Sequence, residues 1–99
     1  MSEKSFQEYK EEFLAWLTNE KAYSINTVTA YRKDLDQFQE YLLEVRKSIV
    51  QVEYRDLRFY IASLQKNENL KKTSTSRKIA VLHTFFHFMQ DEGYLDKNP

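Results

Sequence analysis

No cysteine occurs in this chain of 99 residues, and glycine and proline occur once each, both within the last seven. Without thiols there are no disulfides and no cysteine-based zinc chemistry, a composition compatible with a reducing cytoplasm. A single glycine also excludes a glycine-rich phosphate loop. So few backbone breakers argue for long helices with short joints rather than for a sheet with many turns. No apolar run approaches the roughly 20 residues of a membrane span. The first residues, MSEKSFQEYK, lack the apolar segment of a signal peptide. A soluble, cytoplasmic chain without membrane association is expected. Net charge is missing as well, since 15 Lys and Arg balance 15 Asp and Glu.

What is present is enough for one modest core. Hydrophobic residues make up 41% and aromatics 15%, too many for a disordered chain despite 30% charged residues. The length fits one domain. The zero net charge conceals a gradient. Residues 1–20 hold two basic and five acidic side chains, whereas 71–87 hold four basic and none acidic. A neutral domain with its positive charge gathered locally can still bind a polyanion.

Apolar spacing predicts four helices, near 6–19, 24–45, 54–65 and 74–92. Ser5 with Glu8 forms a capping-box pattern at the first, whose inward stripe is Phe6, Tyr9, Phe13, Leu14 and Leu17, with Glu8, Glu11 and Glu12 outward. The second, from Ser24, buries Val28, Tyr31, Leu35, Phe38 and Leu42. Its opposite face offers Asn26, Ala30, Lys33 and Gln37, with Arg32 on the flank. Asn and Gln can pair with adenine edges and Lys can contact phosphate or guanine, although any solvated helix shows a polar face of this kind. The third buries Leu57, Tyr60, Ile61 and Leu64. The fourth follows four hydroxyl residues, Thr73–Ser76, any of which could cap it, and then the basic pair Arg77 and Lys78. Its core stripe reads Ile79, Leu82, Phe86 and Met89, with Arg77, Ala80 and Thr84 outward and Phe88 off the stripe. Gly93 is placed to stop it. The tail YLDKNP reads as a linker, and its Asn-Pro end suggests a following domain. The result is an all-α, compact four-helix bundle.

Catalytic constellations are weak. His83 and His87, four apart, could share a metal, but Thr84 stands where a metalloprotease needs Glu and no third ligand is evident. No Ser-His-Asp spacing is interpretable, and no base is placed beside any of the seven Tyr residues. No cofactor or metal is expected.

Helices 2 and 4 together carry a resemblance. The run SINTVTAYRKDLDQFQEYL (Ser24 to Leu42) resembles the segment of tyrosine recombinases of the Xer and phage-integrase type with Ser, Asn-Thr, Tyr-Arg and Asp-Leu at these spacings. TSTSRKIAVLHTFFHFMQDEGYLDKNP resembles that family's last core-binding helix, and DLRFYIASL fits the helix before it. The resemblance implies a SAM-like core-binding domain forming one half of a clamp on double-stranded DNA, with helices 2 and 4 facing the major groove. It implies that Asn26, Thr27, Tyr31 and Arg32 match the family motif, Thr27 and Arg32 as backbone contacts and Tyr31 as a support from the core side. Ser74, Arg77 and Lys78 match the family's hydroxyl and basic positions. Lys33 and Gln37 are added from the helical wheel, and Lys72 and Ser76 from the basic, hydroxyl-rich start of helix 4. Arg77, Lys78, Arg32 and Lys33 are expected to hold phosphates, and Asn26, Gln37 and Thr84 to read bases. Arg77 is the better groove candidate, because Lys78 lies nearer the core flank. His83 stands where many members carry Arg, so no strong phosphate contact is expected there.

The resemblance also places the family's catalytic tyrosine in a second domain after Pro99, so this stretch is expected to bind DNA without cutting it. Its partners would be DNA, that catalytic domain and other protomers of a tetramer. Two alternatives are a helical protein-interaction module docking a partner through exposed aromatics such as Phe88, and a small metal enzyme built on His83 and His87.

Overall fold

A computed structural model describes residues 4–96 and 99. Its elements are α1 (Phe6–Asn19), α2 (Ile25–Val45), a single 3-10 turn (Ile49–Gln51), α3 (Tyr54–Lys66) and α4 (Lys72–Asp91). Among the described residues there is no strand, so the chain is all-α, as its few breakers and helical spacing require. Ser24 caps α2 rather than beginning it, accepting a hydrogen bond from the Thr27 amide at 3.2 Å. At α1 the Ser5–Glu8 box is closed in both directions, each bond 3.2 Å long.

α4 begins earlier than the hydroxyl run suggests. Lys71 has extended backbone, and its carbonyl accepts the Thr75 amide at 3.0 Å, so the helix is under way at Lys72. None of Thr73, Ser74, Thr75 or Ser76 is therefore the cap; the N-cap, Lys71, makes no side-chain cap bond. The other end behaves as the glycine requires. Gly93, at φ +80°, sends its amide to Gln90 O at 3.0 Å, and the Tyr94 amide reaches Met89 O at 2.9 Å. This is the two-bond closure that satisfies the last helical carbonyls.

The same closure ends α2 without a glycine. Arg46 adopts φ +57°, with its amide on Leu43 O at 3.3 Å and the Lys47 amide on Leu42 O at 3.1 Å. A side chain in this left-handed region crowds its own carbonyl. Arg46→Gly is expected to raise stability by about 0.5–1 kcal/mol, the relief of strain exceeding the extra freedom of the unfolded glycine. Thermal melts of the two proteins check it.

The core is aromatic and shared by all four helices. Phe13, Phe38, Phe85 and Phe86 are its largest fully buried side chains. Phe85 meets Phe6 and Phe13 of α1 at ring separations of 5.8 and 5.2 Å. Phe86 meets Phe38 of α2 at 6.0 Å. The buried side of α4 is rotated from the expected stripe. Val81, Phe85 and Phe88 are buried, while Ile79 lies at the margin. Phe88 is thus no exposed aromatic, since α1 closes over it, placing Phe13 at 5.5 Å and Trp16 at 5.1 Å. The start of the tail is also tertiary rather than free. Tyr94 packs 4.9 Å from Tyr9 and donates its hydroxyl to Glu12 at 3.0 Å. Lys97 and Asn98 of the expected linker lie outside the described residues.

Asp56 secures the joint between α2 and α3. It accepts from Lys47 Nζ at 2.7 Å and from the Glu53 amide at 2.9 Å, while Tyr41 donates to its carbonyl at 3.0 Å. Lys47, with the Glu53 amide behind it, holds the Asp56 carboxyl below its ordinary range. A carboxyl lowered on folding stabilises the fold above its unfolded pKa and ceases to do so as pH falls through the folded value. Stability to urea is expected to decline as pH falls below about 4, the unfolded aspartate value. In Asp56→Asn that part of the decline should be absent.

Candidate nucleic-acid interface

The four helices differ at their N-termini. α1 and α3 carry Glu8 and Asp56 in the first turn, whereas α2 and α4 carry no acidic residue there. A helix start concentrates partial positive charge on unpaired amides, and a carboxylate in the first turn offsets it. α2 and α4 therefore keep electropositive starts, and α4 adds exposed Lys71 and Lys72 to its own.

These two helices are joined by one buried carboxylate. Asp34, on the flank of α2's core stripe, has a side chain only 1% exposed. It accepts from Arg77 Nε at 2.8 Å and Nη2 at 3.1 Å, and from Lys78 Nζ at 2.8 Å. One negative charge thus faces two positive ones, leaving the junction net cationic. The two cations are placed differently. The Lys78 side chain is 11% exposed, whereas that of Arg77 is 41% exposed. The pair of hydrogen bonds to Asp34 fixes the guanidinium plane and favours its charged form. Among the described residues Arg77 Nη1 makes no hydrogen bond. Arg77 is held from behind and open in front.

On the side of α2 away from the core, Ala30 and Gln37 lie one turn from Asp34, and Lys33, the residue before it, shares their face. Lys33 is exposed and, among the described residues, has no ion-pair partner. Gln37 is half-buried and Asn26 exposed at the helix start. Thr27 shares the cap of α2, where the Ser24 hydroxyl donates to its Oγ1 at 2.9 Å. Tyr31 is half-buried, edge-on to Tyr23 at 5.8 Å. Burial pushes its hydroxyl pKa up, and the nearby charges of Asp34 and Arg77 act on it in opposite directions. On α4, Lys72 and Ser76 are exposed and Ser74 is half-buried. Thr84 donates to Ala80 O at 3.0 Å, which leaves its oxygen free only to accept.

Arg32 is the exception. It lies on the opposite flank of α2 and forms a double hydrogen bond with Glu11 of α1, Nη2 to Oε1 at 3.0 Å. Arg32 pulls the Glu11 carboxyl below its ordinary range. Glu11, its side chain 43% exposed, is outward as expected but engaged by α2, and Arg32 is separated from the Asp34 junction. Lys10 behaves alike, buried and paired with Asp36 of α2. The α1–α2 seam spends its charges on itself, while the α2–α4 seam leaves cations over.

In the sequence Asp34 is only the Asp of the Asp-Leu pair in the family-like segment, with no local mark of its anchoring role. Its position beside a core stripe, in a chain with one adjacent basic pair on a later helix, was the available signal. His83 and His87 are both exposed, and His87 lies 3.9 Å from Asp91. Among the described residues no group of three or more His, Asp or Glu is placed to hold a metal, and no helix is long and apolar enough to cross a membrane.

Residues 10–93 match the family described as phage integrase, N-terminal SAM-like domain. Similar curated proteins include tyrosine recombinase XerC of Oceanobacillus iheyensis, 40% identical over 92% of this chain and 30% of the relative. XerC of Leptospira interrogans is 37% identical over 99% of the chain and 32% of the relative. XerC of Listeria monocytogenes is 36% identical over 91% of the chain and 30% of the relative. The chain thus spans about a third of the length of the relatives it matches. No solved structure matches it significantly.

Proposed function

The chain belongs to the phage integrase N-terminal SAM-like domain family, and on that premise we propose that it is the DNA-binding part of a site-specific tyrosine recombinase. The α2–α4 face lies on duplex DNA in this reading. Arg77, Lys33 and Lys72 contact phosphates, with Ser74, Ser76 and Thr27 as hydroxyl partners at the two helix starts. Asn26, Gln37 and Thr84 face base edges. Lys78 neutralises Asp34 and so frees part of the Arg77 charge, rather than touching DNA itself. Tyr31 supports α2 beside the junction, and Arg32 braces α2 on α1 at the edge of the footprint. Cleavage and joining belong to residues beyond those described, in the catalytic domain of the same protein, and further protomers occupy the neighbouring sites.

The observation that carries this reading is the unequal charge accounting of the two seams. Cations in excess at the Asp34 junction and at the start of α4, on two helices with no first-turn carboxylate, form a surface suited to a polyanion. Binding to a duplex should weaken linearly with log salt, each phosphate contact contributing about −0.9 to the slope. Arg77→Ala is expected to weaken binding and reduce that slope by about one unit. Gel-shift titration at several salt concentrations tests it; identical curves for wild type and variant would remove α4 from the interface.

A further inference from the structure

Two arginines are each held by a carboxylate through a pair of hydrogen bonds, and the two pairs differ in their access to water. Arg77 rests on Asp34, whose side chain is 1% exposed. A carboxylate buried so deeply gains no water when a cation leaves it, so Arg77 stays in place. Arg32 rests on Glu11, and here both side chains are open, at 42% and 43%. An exposed pair shifts an equilibrium by about fivefold at most, because water and salt serve either partner nearly as well. Glu11 and Arg32 are also the only charged residues lining the concavity between α1 and α2, whose other walls are Leu14, Ala15, Thr18 and Asn19. The second carboxylate acting on Arg32 is Asp36, one turn further along α2. Asp36 is engaged by Lys10, a side chain 5% exposed that has no other ion-pair partner among the described residues. Of the two carboxylates, only Glu11 can let Arg32 go at little cost.

We propose that Glu11 masks Arg32 in the free chain and that a DNA phosphate displaces it, so that Arg32 binds a duplex by exchanging one anion for another. This rests on the DNA-binding reading, in which Arg32 is a brace at the edge of the footprint; the brace is then the state of the free chain alone. Arg32 borders the outward face of α2 on one flank, as Arg77 borders it on the other. Lys33, the next residue, is exposed and unpaired among the described residues, so the exchange site adjoins a cation already open to DNA. The guanidinium fork that fits a carboxylate fits a phosphate as well. Contact with phosphate also releases a counterion from the duplex, which the pair with Glu11 does not. The mask has two consequences. It lowers affinity for any duplex, and it flattens the salt dependence, because the carboxylate set free takes up a cation in turn.

Titration with a mixed-sequence DNA duplex at several salt concentrations tests the mask. Glu11→Gln should tighten binding about two- to fivefold and steepen the slope of log K against log salt by up to about 0.9, one phosphate contact. Glu40→Gln removes the same charge from an exposed α2 residue that is unpaired among the described residues, and should tighten binding clearly less. Circular dichroism checks that each variant keeps the fold. Equal gains for the two variants, or no gain for Glu11→Gln, would overturn the proposal. The exchange itself is read from the carbon-13 signal of the Glu11 carboxyl. Free wild type gives its paired position and free Arg32→Ala its unpaired one. On saturation with duplex the wild-type signal should move to the unpaired position, and a signal that stays paired would show that Arg32 never leaves. If that happens while Arg77→Ala still weakens binding, only the exchange falls. If neither wild type nor any variant binds the duplex, the DNA-binding reading falls and the exchange with it.

Discussion

Asp34→Ala is expected to cost about 3–5 kcal/mol of folding stability, the usual penalty for breaking a buried charged pair from one side. The carboxylate takes three hydrogen bonds from two cations. The cost falls mainly on Lys78. Arg77, 41% exposed, recovers water when its partner is lost, whereas Lys78, 11% exposed, is left as an uncompensated ammonium at the α2–α4 seam. Removing both buried partners should behave differently. Asp34→Leu with Lys78→Met replaces the pair by apolar groups of similar size and should return most of the loss. Urea unfolding followed by circular dichroism measures both. A cost for Asp34→Ala below about 1 kcal/mol, the level of an exposed ion pair, would show that the seam is solvated. The pair also ties structure to the proposed function, because the carboxylate that anchors α4 to α2 also aims the Arg77 guanidinium.

Phe38→Ala should be comparably severe, at about 3–5 kcal/mol. Phe38 is fully buried, and its ring meets one or more rings from every other helix. Phe6 of α1 lies at 6.5 Å, Tyr60 of α3 at 5.1 Å and Phe86 of α4 at 6.0 Å, with Tyr41 of α2 itself at 6.2 Å. A cavity there cannot be filled by one neighbour moving in, because each is held by the others. Against a total stability of about 5–15 kcal/mol, either substitution removes a large fraction. Phe38→Leu, which keeps most of the volume, should cost clearly less, and equal losses for the two would argue against a cavity as the cause.

Much of the fold was legible because the signals for it are local. The Ser5–Glu8 box, the Ser24 start, the repeat from Val28 to Leu42 and the Gly93 stop all act within one or two turns of chain. They specified four helices in order, and the family resemblance rests on the same spacings. Local signals also misled where several overlapped. The run Thr73–Ser76 offered four possible caps and supplied none, since the loop before it had already set Lys71 in extended geometry.

Sequence by itself determined the helices, their inward residues on α2 and, except for half-buried Ile61, on α3, and the gathering of positive charge at residues 71–87. Which charges remain available was decided only by tertiary structure. Arg32 and Glu11 are 21 residues apart and Arg77 and Asp34 are 43 apart, and no helical wheel registers such distances. A wheel gives each helix an inside and an outside, but not which neighbour lies on each flank. That choice buried Phe88 under α1, spent Arg32 on Glu11 and gave Asp34 two cations. The physical reason is that a side chain's charge is neutralised by whatever lies within a few ångströms of it, and helix crossing, rather than chain order, sets that neighbourhood.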